Sequence, residues 1–298
     1  MADYYNSEAE RLTGLVKKGM PENDARELIE FDSTTFSWDR VNRRNVVRGV
    51  TVNIVKSGYR TSLYRPFSSQ NCYFDPSQQF NNCTYQLPMM FPTPEHRNLG
   101  YYPVGAGSAV PSTVLATALL PALHVTGAGS GGQFFSRFTW EPVEAEDGGL
   151  FGGGAVVKHD GEVSTYGEIG EVVDGYVRVD NVTDEIKKIY RDALGADISG
   201  DDIFHFVYGK LHDPAYRETY AADLKKMLPH IKTPESRDEF DTFAAAGAEL
   251  MALHVGYEDV EPWPLDIQVR AGVDESDRET WRVLKMRWAK RKDPETGK

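Results

Sequence analysis

The sequence has only two cysteines, Cys72 and Cys83, among its 298 residues. That excludes a multiply disulfide-stapled scaffold; one disulfide is possible in principle, but the pair reads as two reduced thiols in a cytoplasmic protein. Long hydrophobic runs are also missing. The longest, Val114 to Val125, is broken by Thr117, Pro121 and His124 and is too short to span a bilayer, so no membrane partner is expected. The N-terminal stretch MADYYNSEAERL is polar and carries no secretory signal. Catalytic signatures are scarce too. There is no G-x-x-x-x-G-K-[ST] loop for a nucleoside triphosphate, no Ser/His/Asp or Cys/His grouping, and no nuclease-like pattern of spaced acids with a lysine.

Two features imitate sites. Gly127 to Gly132 fits G-x-G-x-x-G, but a dinucleotide needs a helix N-terminus immediately afterwards. The next residues, QFFSRFTWEPV, are aromatic and strand-like, so the run reads as a hairpin loop, and Gly152 to Gly154 reads likewise. A helix after Gly132 would revive a nucleotide-binding reading. His205 and His212 stand without a Cys, Asp or Glu at ligand spacing, so core or capping roles are expected and no metal.

Acidic residues are absent from one place in particular. The chain carries a net charge of −12, which argues against indiscriminate nucleic-acid binding. Yet from Arg40 to Phe74 there is no Asp or Glu, while Arg40, Arg43, Arg44, Arg48, Lys56, Arg60 and Arg65 all fall there. A basic segment on an acidic body can offer one face to phosphates and repel them elsewhere. The same residues could instead be a solvated surface whose counter-charges folding brings near. Gln70, Asn71, Asn81, Asn82 and Gln86 lie in or beside this segment, with Tyr64, Tyr73 and Tyr85 near them. Arginine to guanine and Asn or Gln to adenine are the usual major-groove contacts.

The periodicity predicts an α+β fold. Residues 1–38 read as a helical connector, with stripes at Leu12, Leu15 and Val16 and at Ala25, Leu28 and Ile29. Residues 39–145 read as a β-rich module, with strands at Val46-Val47, Val50 to Val55 and Leu63-Tyr64 separated by Gly49 and Gly58. Residues 146–180 are a Gly-rich, acidic loop with short strands, including Tyr176 to Val179. Residues 181–258 form a helical bundle. Asn181 is expected to cap its first helix, Ser199 with Asp202 its second, Asp213-Pro214 its third, and Ser236 with Glu239 its last. Tyr216, Tyr220, Leu224 and Leu228 stripe the third; Phe240, Phe243, Ala244, Gly247, Leu250, Met251 and His254 stripe the last. Tyr208, Tyr216, Tyr220, Phe243 and Leu250 are therefore expected to be largely buried. Residues 259–298 are a tail.

The run Phe206-Val-Tyr208-Gly209-Lys-Leu211-His212-Asp-Pro214-Ala-Tyr216-Arg217-Glu-Thr-Tyr220, with Pro229, Phe243, Gly247, Leu250, Leu253-His254 and Tyr257-Glu258, resembles the C-terminal region of type ISP restriction–modification enzymes. Those are single chains joining a nuclease, an ATP-driven translocase, an adenine methyltransferase and a target recognition domain. The resemblance extends upstream. Leu63 to Phe67 and Tyr73 to Asp75 resemble that family's YRPF … YFD motif. Tyr85 to Pro88 and Phe91 to Asn98 continue it, and Pro121 to His124 with Gln133 to Phe135 resemble PDLH … QCFP. The chain departs at Ala122, where the family has an acid, and at Phe134, where it has a cysteine.

The resemblance implies a non-catalytic target recognition region that holds double-stranded DNA and reads a short asymmetric site for the parent's methyltransferase domain, against which the helical half would pack. By itself this chain would be no enzyme. It has neither the Asn/Asp-Pro-Pro-Tyr/Phe loop nor the glycine-rich turn of an adenine methyltransferase. The parent's S-adenosylmethionine, ATP and Mg²⁺ would bind elsewhere, and no cofactor is expected here. Arg282 to Trp288 resembles a family strand whose partner would follow the chain's last residue, so the chain reads as a fragment. The alternative is a stand-alone acidic interaction or decoy protein that binds restriction–modification subunits. A basic face built from residues 40–65 favours the first reading; burial of those arginines in ion pairs favours the second.

Overall fold

The computed structural model describes residues 2–30, 36, 38–75, 85–126, 131–143, 163–265, 267, 269 and 271–282. Residues 1–258 form one unit and residues 259–298 a second.

The N-terminal helices α1 (Ala2–Lys17), α2 (Glu22–Glu27) and α3 (Arg40–Val47) share a core. Tyr5, Ala9 and Leu12 fall on one face of α1 and pack with Ala25, Phe36, Trp38, Val46 and Val47. Burial, with the nearby Asp39 charge, pushes the Tyr5 hydroxyl up to about 12. Helix α3 corrects the expectation of a strand at Val46-Val47. Asp39 accepts from the Asn42 N–H at 2.7 Å and opens the helix. Gly49, at φ +73°, closes it: its N–H reaches Val46 O at 3.2 Å and that of Val50 reaches Asn45 O at 3.1 Å, the paired bonds of a Schellman ending. The glycine that read as a strand separator is a helix cap.

Val50 to Val55 is also not a strand. Val52 is buried, but Asn6 takes the place of a partner strand. Its side chain donates to Val52 O at 2.8 Å and accepts from Val52 N at 2.9 Å. Once a side chain satisfies both backbone groups, the segment has no need of a ladder.

Next come β1 (Tyr59–Arg65) and β2 (Ser68–Tyr73), the short α4 (Leu87–Met90), β3 (Gly100–Pro103), β4 (Val114–Thr117), β5 (Leu120–Pro121), β6 (Phe135–Ser136) and β7 (Phe138–Pro142). After these come β8 (Val163–Ser164), β9 (Gly167–Glu168), β10 (Val172–Val173) and β11 (Tyr176–Asp180). They make small sheets ordered β2-β1-β5, β4-β3-β6 and β10-β11-β7, with β8 paired to β9. The buried Asn98 knots α4, β3 and β7 together: its amide donates to Met90 O and Phe138 O at 3.0 and 2.8 Å, and its oxygen accepts from Leu99 N at 2.9 Å.

The helical half is α5 (Asp184–Leu194), α6 (Gly200–His212), α7 (Pro214–Thr219) and α8 (Arg237–Val255). Ser199 and Asp202 form the expected capping box, and Asp213 and Ser236 cap α7 and α8 as expected. The cap of α5 is Thr183 rather than Asn181, whose amide instead donates to Ser136 O at 2.8 Å. Helix α7 is shorter than its stripe. Separate turns continue past it to Met227, and they stop where Pro229, lacking an N–H, cannot donate to the Lys225 carbonyl, which accepts from Gly107 at 2.8 Å instead. Tyr208 is fully buried, but Tyr216, Phe243 and Leu250 are only half-buried and Tyr220 lies at the surface. No described helix is long and apolar enough to cross a membrane.

Helices α6 and α8 touch backbone to backbone. A Cβ on Gly209 would lie 2.3 Å from Phe243 O, and one on Gly247 2.0 Å from His205 O. Neither obstacle is a side chain that could turn aside. Around this crossing Phe204, Tyr208, Leu211 and Met251 pack with Leu99, Val114 and Ala116 beneath them. The Tyr208 hydroxyl accepts from Ala116 N at 2.9 Å and is hydrogen-bonded to His254 Nδ1.

In the second unit Asp277 caps a single turn, Arg278–Trp281. Trp281 Nε1 donates to Glu275 O at 2.8 Å. The strand expected over residues 282–288 lies, from 283 onward, outside the described residues.

Gly247→Ala should destabilise the protein by about 1–3 kcal/mol, because α8 must move off α6. Gly14→Ala in α1, where a Cβ meets nothing within 4 Å, should stabilise by up to about 1 kcal/mol through helix propensity. Denaturant titration of both variants checks the opposite signs.

Candidate nucleic-acid interface

The basic segment is divided between two structural elements. Arg40 and Arg44 are exposed on α3, as is Lys56 in the turn before β1, and none of the three has an ion-pair partner among the described residues. Arg43 is half-buried and its Nε donates to Asp39 O at 3.3 Å. Arg48 pairs with Glu22 at 3.2 Å. The β1–β2 hairpin carries the rest. Arg60 is half-buried over the Phe74 ring, 5.9 Å from its centroid, and burial lowers its affinity for the proton. Arg65 has a supporting job: its Nη1 donates to Tyr64 O at 2.7 Å and to His124 O at 2.8 Å.

Strand β2 is an edge, so its outer residues face solvent. Gln70 stands opposite Ser62 and Asn71 opposite Thr61, and the pleat sends the two amides to opposite faces of the hairpin. The hairpin turn is fixed at a distance. Phe67, at φ +55°, sets its ring edgewise against His254 and Tyr257, at 5.5 and 5.3 Å. The parallel pairing of Leu63 with Pro121, and the Arg65 bond to His124, bring the YRPF-like and PDLH-like stretches side by side.

On the other side of this junction lies a groove of about 1010 Å³. Tyr85, Gln86, Met89, Leu123, Gln133 and Phe134 are among the residues that line it. No charged side chain is among its described lining residues. Tyr102 anchors the floor, its hydroxyl accepting from Gly132 N at 2.5 Å and donating to Leu123 O. Tyr85 is 76% exposed and held at φ +49°. Gln86 and Gln133 are exposed, and neither amide bonds to any described residue. Gln86 was legible from its place beside the basic segment. Gln133 was marked only as the first residue of the QCFP-like stretch and not as a candidate contact; the fold puts it in the same groove as Gln86. Asn82, with Asn81, lies outside the described residues.

Behind the groove is a buried charge cluster that no local pattern announced. Arg137, wholly buried between β6 and β7, donates from Nη1 to Asp180 and from Nε to Asp201 at 2.8 Å. Lys187 reaches Asp180 at 3.1 Å. Burial alone would raise the Asp201 carboxyl, but Ser164, Arg137 and the Thr165 N–H together hold it below its ordinary value.

These elements match known proteins throughout. The type ISP C-terminal specificity domain family matches residues 1–296. This chain belongs to that family. Among solved structures, the specificity domain is similar to the DrdV–DNA complex seen by cryo-electron microscopy, at 29% identity and a TM-score of 0.65, over 94% of this chain and 23% of that one. It is similar to a nuclease-deletion mutant of the type ISP enzyme LlaGI in complex with a DNA substrate mimic, at 25% identity and 0.63, over 89% and 20%. For the ATP-dependent type ISP enzyme LlaBIII bound to DNA the values are 20% and 0.61, over 92% and 14%, a likeness of fold. The chain thus spans less than a quarter of each of these longer proteins. No curated protein matches it.

The helix that a dinucleotide site needs after the glycine run is not there. Gly127 to Ser130 lie outside the described residues, and strands β6 and β7, rather than a helix, come after Gly132. The two histidines are spent on structure. His205 Nε2 lies 2.6 Å from the Tyr166 hydroxyl, and His212 bridges Tyr208 O at 2.9 Å and Val114 O at 3.2 Å. No trio of His, Cys, Asp or Glu among the described residues is placed to hold a metal.

Asp201→Asn leaves the buried Arg137 with one carboxylate fewer and should cost about 3–5 kcal/mol. Because the folded pKa is depressed, the wild-type contribution is present above the unfolded value near 3.9 and is lost as pH falls through the folded one. Stability measured against pH should therefore fall less steeply on the acid side in Asp201→Asn than in the wild type.

Proposed function

We propose that this specificity domain holds duplex DNA and reads a short site on behalf of a longer type ISP-like chain. The observation that carries the reading is the match across 94% of the chain to a protein solved in complex with DNA. Arg40, Arg44 and Lys56, unpaired among the described residues of an otherwise acidic body, support it, since they are free to neutralise phosphates. Methylation of adenine and ATP-dependent cleavage would then be performed by other domains, which would hold the S-adenosylmethionine, ATP and Mg²⁺. The helices α5 to α8 would pack on the methyltransferase domain, and the protein would work in the cytoplasm, where duplex DNA is within reach. No observation favours the decoy reading.

The test is duplex binding by fluorescence anisotropy over a range of salt. The wild type should bind with a negative slope of log affinity against log salt, and Arg40→Ala and Arg44→Ala should each reduce its magnitude by about 0.9. Unchanged slopes in both variants would remove α3 from the interface.

A further inference from the structure

We propose that the groove walled by Gln86 and Gln133 is where the domain reads base edges, and that what it reads there is adenine in A·T pairs. The inference rests on the DNA-reading function proposed above and names the place and the chemistry of reading. The described lining of the groove is uncharged, so it has nothing to offer a phosphate, whereas α3 and Lys56 do. Of the three primary amides in its lining, Asn181 is bonded to Ser136 O, while those of Gln86 and Gln133 are unspent on described residues. A side-chain amide presents one donor and one acceptor side by side, which matches the N6 donor and N7 acceptor of adenine; a guanine edge shows two acceptors and is matched poorly.

The surroundings suit a flat apolar edge. Met89 and Leu123 are 49% and 51% exposed in the groove, apolar surface that a thymine methyl can cover. Tyr85 stands at the rim in a left-handed backbone conformation that a tyrosine adopts only when its surroundings impose it. The backbone that carries Gln86 is thereby constrained at its neighbour, and the backbone that carries Gln133 is constrained at Gly132, whose N–H is bonded to the Tyr102 hydroxyl. Amides carried on constrained backbone can discriminate between base edges.

The experiment is selection from a randomised duplex library by the whole chain, run with wild type, Gln86→Ala, Gln133→Ala and the shorter amides Gln86→Asn and Gln133→Asn. Neither glutamine side chain bonds to a described residue, so thermal midpoints should not move. Wild type should enrich a motif containing A·T positions. Each alanine variant should lose preference at one of them, by about 5- to 150-fold, while affinity for unselected duplex and its salt slope stay within about twofold. The asparagine variants, one methylene short, should show the same loss at the same positions. Identical motifs from all five proteins, or a uniform fall in affinity with the motif intact, would overturn the assignment. If the wild type itself enriches no motif, the DNA-reading function falls, and this inference with it.

Discussion

Arg137 is the residue on which the two halves of the domain depend. Its guanidinium is wholly buried, and a buried cation is tolerable only when paired and hydrogen-bonded. The partners come from separate parts of the chain: Asp180 from the end of β11 and Asp201 from the first turn of α6. Asp201 in turn receives Ser164 Oγ at 2.7 Å and Thr165 N at 2.7 Å, and Lys187 of α5 closes the cluster on Asp180. The requirement to neutralise one arginine therefore fixes where β7, β8, β11, α5 and α6 meet. Hydrophobic packing alone would allow those elements to slide; the directional bonds do not.

The Gly209–Gly247 crossing does the corresponding work within the helical half. It lets α6 and α8 approach until backbone meets backbone, which sets the height of α8 over β4. The end of α8 then presents His254, with Tyr257 just beyond it, to Phe67 at the tip of the β1–β2 hairpin. Thus residues far apart in the sequence, Tyr64 to Phe67, Pro121 to His124 and Leu253 to Tyr257, are one junction in space. The groove shares Pro121 to Leu123 with that junction, while the exposed arginines of α3 sit on the separate N-terminal core.

Much of this was written in the local sequence where the signal is a cap. Ser199 with Asp202, Asp213 with Pro214 and Ser236 with Glu239 each mark a helix start, because the chemistry that satisfies a free N–H is local. Asp39 and Gly49 mark α3 equally well, yet the valines between them read as β, and burial against α1 decided otherwise. The clamp of Asn6 on Val52 was beyond reach, since it joins residues that only the tertiary fold brings together. For the candidate site, charge identified the basic stretch but could not divide it into exposed arginines on α3, the half-buried Arg60 and the carbonyl-bound Arg65. Arg137 left no trace in periodicity, because its partners lie across a buried junction. The order of family motifs was legible throughout.

The proposed division of labour has α3 and the hairpin hold DNA while the groove reads it. Amide hydrogen exchange of the chain with and without duplex DNA tests it directly. The account predicts new protection at residues 85–90 and 131–135 and at the exposed parts of 40–48 and 68–71, with α5 and α8 unchanged. Protection confined to α5 and α8, with the groove and α3 untouched, would contradict it.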